Sequence, residues 1–413
     1  MGKSAIITVG DELLGGRITD TNATFLSREL RLAGFPVRRR ETVADDPAAI
    51  ADAVTRCAAL VDVVVVSGGL GPTLDDLTRD GLARAMGVSC VRSKEAEAHL
   101  RAFFARADRP VNESNLVQAD LPEGASSLMN DQGSAPGVRA QIGESTVYVL
   151  PGVPRELYAM TRNHVLPALV AHPARGAAPT RAAVTICGMP ESEAGRKLRD
   201  LMRRGRNPSV GSYPGVSHIV FVIEAVDADD GTPAAELARR DVAEITARLG
   251  SAVVATEERQ PHEVIAELLI ERRLTVAVAE SLTGGRVADL LVSVPGISAV
   301  FKAGFAPYAN EAKRDILGVS QQILDDHGAV SEECARAMAE GARRVAGADL
   351  AVATTGIAGP TGAGPGKPVG TVFLALAKEG GTDVRRLQIV GDREQVRARA
   401  TMTALDLLRR AVR

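Results

Sequence analysis

The sequence predicts an α/β chain in three parts: a parallel-sheet domain over residues 1–170, a small α+β unit over 180–256, and a second α/β domain over 258–413. Three observations carry this reading. The first 170 residues alternate strand-like and helix-like segments around a Val-rich run at 62–66, the mark of a strand buried on both faces. The stretch 171–179 (AHPARGAAP) is small, contains proline and has no apolar period, so it reads as a linker. Beyond residue 260 the strand–helix rhythm starts again. A chain of 413 residues holds two to four domains, at roughly 100–200 residues each.

Each element has a local reason. The apolar run 5–9 is stopped by Gly10-Asp11, and Thr21–Leu32 has helical spacing through Phe25, Leu26 and Leu30. Val37–Val43 alternates with Arg38 and Arg40, as a half-exposed strand does. Asp46-Pro47 opens a helix, Asp as the cap and Pro in the first turn. In the middle unit, 183–187 and His218–Ala225 read as strands, 192–203 and 233–249 as helices. In the last part, 262–273 is helical, 274–279 a strand and 286–294 a helix ended by Pro295-Gly296. Ser331-Glu332-Glu333 opens a helix that ends near Gly347. Segments 351–355 and 369–377 are strands around a Gly/Pro-rich loop, and Asp392-Arg393-Glu394-Gln395 is a capping box opening the terminal helix.

Composition excludes several classes. Lys+Arg 49 against Asp+Glu 51 leaves a net charge of −2, and aromatics are 3% with no Trp. Neither favours nucleic acid as a partner. The four cysteines (57, 90, 187, 334) form no C-x-x-C pair and read as reduced, buried residues. The six histidines form no zinc pattern. No apolar run approaches the roughly 18–20 residues of a membrane span, and the N-terminal apolar run is too short for a signal sequence. A cytoplasmic protein without membrane contact is expected.

The segment SGGLGPTLDDLT (67–78) leaves a buried strand, where open α/β sheets bind ligands. Its glycines let backbone N–H groups approach a phosphate, and Asp75 and Asp76 are of a type to hold a hard cation. The same residues read equally as a strand–helix turn with a Thr-x-x-Asp capping box. GDELL (10–14) and LPGVP (150–154) also sit at strand ends. In the last part, AESLTGG (279–285) places Ser281 between strand and helix, where a developing negative charge is favoured; a plain Ser cap is the simpler reading. YANEAK (308–313) supplies Lys313, a base for a nearby Ser if burial lowers its pKa, or else a solvated helical Lys. TTGIAGP (354–360) starts a loop with five glycines from 356 to 366, a ligand wrap or a flexible connection. Ser, Lys, Tyr and Thr at element ends, without metal ligands, fit a metal-free acyl-transfer or amide-hydrolysis site.

Together these motifs resemble the CinA (competence/damage-inducible protein A) family along essentially the whole chain. VGDELLGGRITDTN, SGGLGPTLDDLT, LPEGA and LPGVP resemble its N-terminal domain; AESLTGG, YANEAK, GAVSEECA, TTGIAGP and GKPVGTV resemble its C-terminal domain. The resemblance implies an N-terminal MoaB/MogA-like α/β sandwich (molybdopterin-binding type), a KH-like α+β middle domain and a C-terminal α/β deamidase domain. It implies a metal-free nicotinamide mononucleotide (NMN) deamidase releasing ammonia, a metal-dependent ADP-ribose pyrophosphatase using Mg or a similar divalent ion, a role in pyridine nucleotide recycling, and a homodimer. RNA binding is not carried over, because the middle part has no G-x-x-G with basic flanks.

By motif, the resemblance makes Ser281 the nucleophile, Lys313 and Tyr308 its activators, and Thr355 an aid to that network or to the oxyanion. Thr283, Gly284, Gly285, Asn310, Gly356 and Gly359 would shape the pocket, with N–H groups over 283–285 as oxyanion donors, and Arg393 and Arg397 would meet the phosphate. In the first domain Ser67, Gly68, Gly69, Gly71 and Thr73 would bind substrate, with a metal at Asp76 and Asp11. The usual family motifs carry Cys after the Ser and read T-Y-S-N-E-A-K; here Leu282, Pro307 and Ala309 depart from them. The alternative is a nucleotide- or pterin-binding protein with a degenerate deamidase site, an accessory to competence or recombination.

Overall fold

A computed structural model describes residues 2–106 and 108–412. The chain divides into two compact units, Met1–Thr180 and Arg181–Arg413. Among the described residues no helix is long and apolar enough to cross a membrane.

The first unit is built on a six-stranded sheet in the order Val37–Val43, Ser4–Val9, Val63–Ser67, Ser145–Leu150, Gly137–Ile142, Ser126–Leu128. The first four strands pair in parallel, and the last two pairings are antiparallel. Val63 and Val65 enter one core, with Phe25, Leu26 and Leu157; Val64 and Val66 enter the other, with Ile50, Val54 and Leu82. The Val run is therefore a strand covered on both faces, its two-residue period feeding two helical layers. Asp20 and Asp46 cap the helices Thr21–Leu32 and Pro47–Ala58, accepting from Ala23 N–H at 2.8 Å and Ala49 N–H at 2.7 Å. Thr8 pairs with Ser67 and Ser67 with Leu150, so the carboxyl ends of these strands lie level along one edge.

The second unit holds two sheets. The smaller has the order Ser209–Pro214, His218–Ala225, Thr180–Cys187, Val253–Ala255. Its first helix is Glu191–Lys197, shorter than the 192–203 expected. The Arg248 guanidinium takes the Lys197 carbonyl at 3.0 Å and pairs with Asp200, drawing the chain into turns beyond Lys197. The larger sheet has the order Phe301–Phe305, Val276–Glu280, Leu350–Gly356, Thr371–Lys378, Gly381–Gln388. The first three strands pair in parallel, and the last two pairings are antiparallel. One face is lined by Ala277, Ala279, Ala351 and Ala353 and meets the helix Glu332–Ala346; Val276, Val278 and Val352 face a core shared with Pro261–Arg272 and Arg393–Val412. Cys187 and Val254 of the smaller sheet belong to that same core. Arg409, fully buried, seals the junction: it pairs with Asp406 at 2.7 Å and donates to Ser251 O at 2.7 Å.

Candidate functional site

Two sites form, one at the carboxyl edge of each parallel sheet. In the larger sheet of the second unit, Glu280 pairs with Thr354 and Ala279 with Phe305. That register brings Ser281, the Pro307–Tyr308 turn and Thr355 to one edge. The Ser281 N–H donates to Thr354 O at 2.9 Å, seating the nucleophile candidate at the strand end.

Lys313 lies on the helix Asn310–Leu317 and is 1% exposed. Its Nζ donates to Pro307 O and Tyr308 O, each at 2.9 Å, and lies 3.4 Å from Ser281 Oγ. Two fixed carbonyls thus aim the amine at the hydroxyl, at the looser spacing that unliganded sites show. Burial holds the Lys313 pKa below the ordinary lysine range, with Cys334 and Tyr308 acting in the opposite sense. Burial also pushes the Cys334 thiol up to about 11, so it remains neutral beside Lys313. Desolvation without an anionic partner is the arrangement that makes a lysine available as a base.

The remaining predicted residues take more structural roles than their motifs implied. Tyr308 is 66% exposed, and it serves Lys313 through its carbonyl. The buried Thr355 hydroxyl donates to Ala329 O at 2.6 Å rather than to the Ser281 pair. Thr283 is buried against Thr354, hydroxyl to hydroxyl at 2.7 Å. Gly284 (φ 61) and Gly285 (φ 96) adopt the left-handed backbone that the turn needs. The Gly285 N–H is spent on Glu280, which removes it from the expected oxyanion donors. Asn310 is the exposed first residue of the Lys313 helix. Gly356 and Gly359 are tight: a Cβ would lie 2.8 Å from Thr371 O and 2.6 Å from Val369, respectively. Arg393 donates to Gly359 O at 2.8 Å; Arg397 donates to Leu282 O at 3.0 Å and Thr283 O at 2.9 Å. Both arginines brace the site loops through these bonds. The Gly-rich loop is held too, with Lys367 on His327 O and Arg386 on Gly366 O.

Glu280 was missed in the sequence because it reads as an ordinary acidic neighbour of the motif Ser. It is buried, and its carboxylate accepts from the N–H groups of Gly285, Val287 and Ala288 at 2.9–3.0 Å. It therefore caps the helix Arg286–Val292 from the strand before it, across the Ser281 turn.

In the first unit a cavity of about 400 Å³ opens at the sheet edge. It is lined by Gly10, Glu12, Asp45, residues 68–73, Asp75, Asp76, Gln118, Ser134, residues 151–153 and Glu156. Gly68 (φ 106) packs so that a Cβ would sit 2.6 Å from Val9 O. Ser67 Oγ accepts from Asn22 Nδ2 at 3.1 Å, and Asn22 also holds Gly152 O at 2.7 Å. The buried Arg79 supports the loop from beneath through Leu70 O at 2.6 Å, and Thr78 holds Gly68 O at 2.8 Å. A Cβ on Gly69 would strike Thr78.

The expected metal pair does not assemble. Asp76 accepts from the Gly71 N–H at 2.7 Å and from both the N–H and hydroxyl of Thr73. It acts as the staple of its own loop, and the helix begins only at Thr78, so Thr73 caps no helix. Asp11 is exposed, tied to Asp45 through its backbone N–H at 2.9 Å. Asp45 is held above the ordinary carboxylate range by burial and then by repulsion from Asp11, Glu12 and Asp75. Among the described residues no group of three or more His, Cys, Asp or Glu is placed to hold a metal ion. The residues as arranged do not fit a preformed metal site.

Residues 5–171 match the family described as "Probable molybdopterin binding domain", 182–255 the "Damage-inducible protein CinA KH domain" and 258–412 the "CinA C-terminal domain". A CinA-like protein of Geobacter sulfurreducens is 42% identical, over 99% of this chain and 98% of that protein. The chain belongs to the CinA family. A CinA-like protein of Geobacter metallireducens is 40% identical over 99% of this chain and 98% of its own length. Among solved structures, CinA of Thermoplasma acidophilum is 35% identical, with a TM-score of 0.37, covering 39% of this chain and 94% of that one. The layout is that of the CinA family: an α/β domain of the molybdopterin-binding type, a KH-like α+β domain and the α/β CinA C-terminal domain.

Within the CinA frame, the three motif departures have local explanations. Leu282 is buried in the core shared with Leu405 and Val396, away from the solvent side of the turn. Pro307 lacks only an N–H, and the group that Lys313 uses is its carbonyl. Ala309 occupies the N-cap of the Lys313 helix and supplies no capping side chain. Ala309→Ser restores that cap and should stabilise the chain by about 1 kcal/mol, read as a raised midpoint in urea unfolding. An unchanged midpoint would show that the helix end is satisfied by other means.

Proposed function

We propose that the C-terminal domain is a serine amidohydrolase that deamidates NMN, and that the N-terminal cavity hydrolyses ADP-ribose. The observation that carries the first reading is the buried Lys313 amine aimed at Ser281 Oγ. The substrate comes from the resemblance of AESLTGG, YANEAK and TTGIAGP to NMN deamidases. Ser281 Oγ attacks the carboxamide carbon, and the neutral Lys313 takes the Ser proton. Collapse of the tetrahedral intermediate breaks the C–N bond, with the Lys313 proton passing to ammonia. Water then bonds to the acyl carbon while Lys313 takes one of its protons; the ester C–Oγ bond breaks, Lys313 returns that proton to Ser281 Oγ, and nicotinic acid mononucleotide leaves. The braces from Arg397 to Leu282 O and Thr283 O keep the turn in place through both steps.

The second reading rests on the cavity size, its glycine-rich lining and the resemblance of the N-terminal motifs. A competing reading, in which this domain holds a nucleotide or pterin without turnover, is favoured by one observation: Asp76 is consumed by its own loop. The deciding experiment is product analysis with the full-length chain, with and without a chelator. Ammonia from NMN in chelator, and AMP from ADP-ribose, are the expected results. ADP-ribose that binds without yielding AMP would leave the competing reading. No ammonia from NMN would remove the deamidase assignment. The homodimer implied by the resemblance is read from the same preparation by light scattering.

A further inference from the structure

We propose that Glu156 is the general base of the N-terminal cavity, the carboxylate that takes the proton of the water attacking the diphosphate. This rests on the ADP-ribose reading above. Glu156 lies on the helix Pro154–Met160 and lines the cavity alongside the loops at 68–73 and 151–153. Its Oε2 accepts from Asn130 Nδ2 at 2.7 Å. Asn130 is fully buried, and its amide is locked in one orientation: Nδ2 also donates to Ala135 O at 2.9 Å, and Oδ1 accepts from the Gln132 N–H at 3.0 Å.

The chain also makes room for this carboxylate. A Cβ on Gly133 would lie 2.1 Å from Glu156 Oε2, so a larger residue there would push the carboxylate from its present seat. The other oxygen, Oε1, takes no hydrogen bond from the described residues. The competing carboxylates of the lining are otherwise placed. Asp76 staples its loop, Asp45 accepts the Asp11 N–H, and Glu12 and Asp75 are exposed at the rim. Burial also holds the Glu156 carboxyl above the ordinary range, which brings it closer to the proton affinity a base needs.

The step balances without a further reactant. The water oxygen bonds to one phosphorus as Glu156 takes a proton from it. The bond from that phosphorus to the bridging oxygen breaks, its electron pair staying with the oxygen. AMP and ribose 5-phosphate leave, and Glu156 returns its proton to solvent.

The test is Glu156→Gln and Glu156→Asp in the full-length chain, with AMP formation and ADP-ribose affinity measured separately. NMN deamidation by the other domain and a thermal melt serve as controls for folding. Gln keeps the Asn130 contact but cannot take a proton. The expected result is a kcat lowered roughly 10²–10⁴-fold, with affinity altered less than about threefold. Asp, one methylene shorter, should fall between wild type and Gln. Wild-type turnover that Glu156→Gln shares to within about tenfold overturns the role of Glu156 alone. Wild type that forms no AMP overturns the ADP-ribose reading, and the base with it.

Discussion

Ammonia release from NMN should fall by roughly 10³-fold or more in Ser281→Ala and by roughly 10²–10⁴-fold in Lys313→Met. The two changes remove the two ends of one 3.4 Å contact, so the double variant should lose little beyond the worse single one. Met fills the volume of the lysine stem, which keeps the buried helix packed while deleting the amine. It leaves the Pro307 and Tyr308 carbonyls without their shared donor, so a modest stability loss is expected beside the kinetic one. The pH profile separates them. Lys313 must be neutral to accept the Ser proton, so the wild-type rate rises with pH as the amine deprotonates. Because burial lowers its pKa, that rise comes below the ordinary lysine range. Residual activity in Lys313→Met should lack the rise. A variant that retains both rate and rise would remove Lys313 from the mechanism.

Glu280→Ala should cost about 3–5 kcal/mol of stability, and lower kcat in whatever folded protein remains. The buried carboxylate takes three backbone N–H groups at a half-buried helix start, and alanine leaves all three without their acceptor. The Gly284–Gly285 turn that follows Ser281 then loses its anchor on the strand side. Glu280→Gln retains the shape and one amide oxygen, so its loss should be smaller, near 1–2 kcal/mol. Urea unfolding gives the first effect, and kcat for ammonia release the second. A Glu280→Ala chain as stable as wild type would mean that water or a shifted turn replaces the carboxylate.

Much of the architecture was legible because its signals are local. The Val-rich strand Val63–Ser67, the Asp46-Pro47 helix start and the Ser331 cap need only neighbours in sequence. Asp392 and Gln395 form the reciprocal capping bonds expected of their spacing, at 2.8 and 3.1 Å. The strands Phe301–Phe305 and Gly381–Gln388 escaped notice because they lie at the two edges of their sheet. Each has one open side and carries Lys302, Asp383, Arg385 and Arg386 in place of an apolar run.

At the sites, residue types were readable and partners were not. Ser281 and Lys313 are 32 positions apart, and only their motifs tied them together before the parallel register brought both to one edge. Asp76 has the chemistry of a metal ligand, yet its loop closes so that Gly71 and Thr73 consume both oxygens. Thr355, Arg393 and Arg397 have the chemistry of substrate contacts, and the fold adds protein carbonyls as their partners. Glu156 follows the LPGVP segment by two residues, and nothing local marks it; only the fold carries the Asn130 amide, 26 residues upstream, against it. The strongly patterned strands, the capped helix starts and the side-chain types able to do chemistry were readable from the amino-acid order alone. Those follow from short-range spacing and side-chain type. Which donor meets which acceptor was settled only by strand register and loop closure, because a shift of one residue or a few ångströms re-pairs every group at a sheet edge.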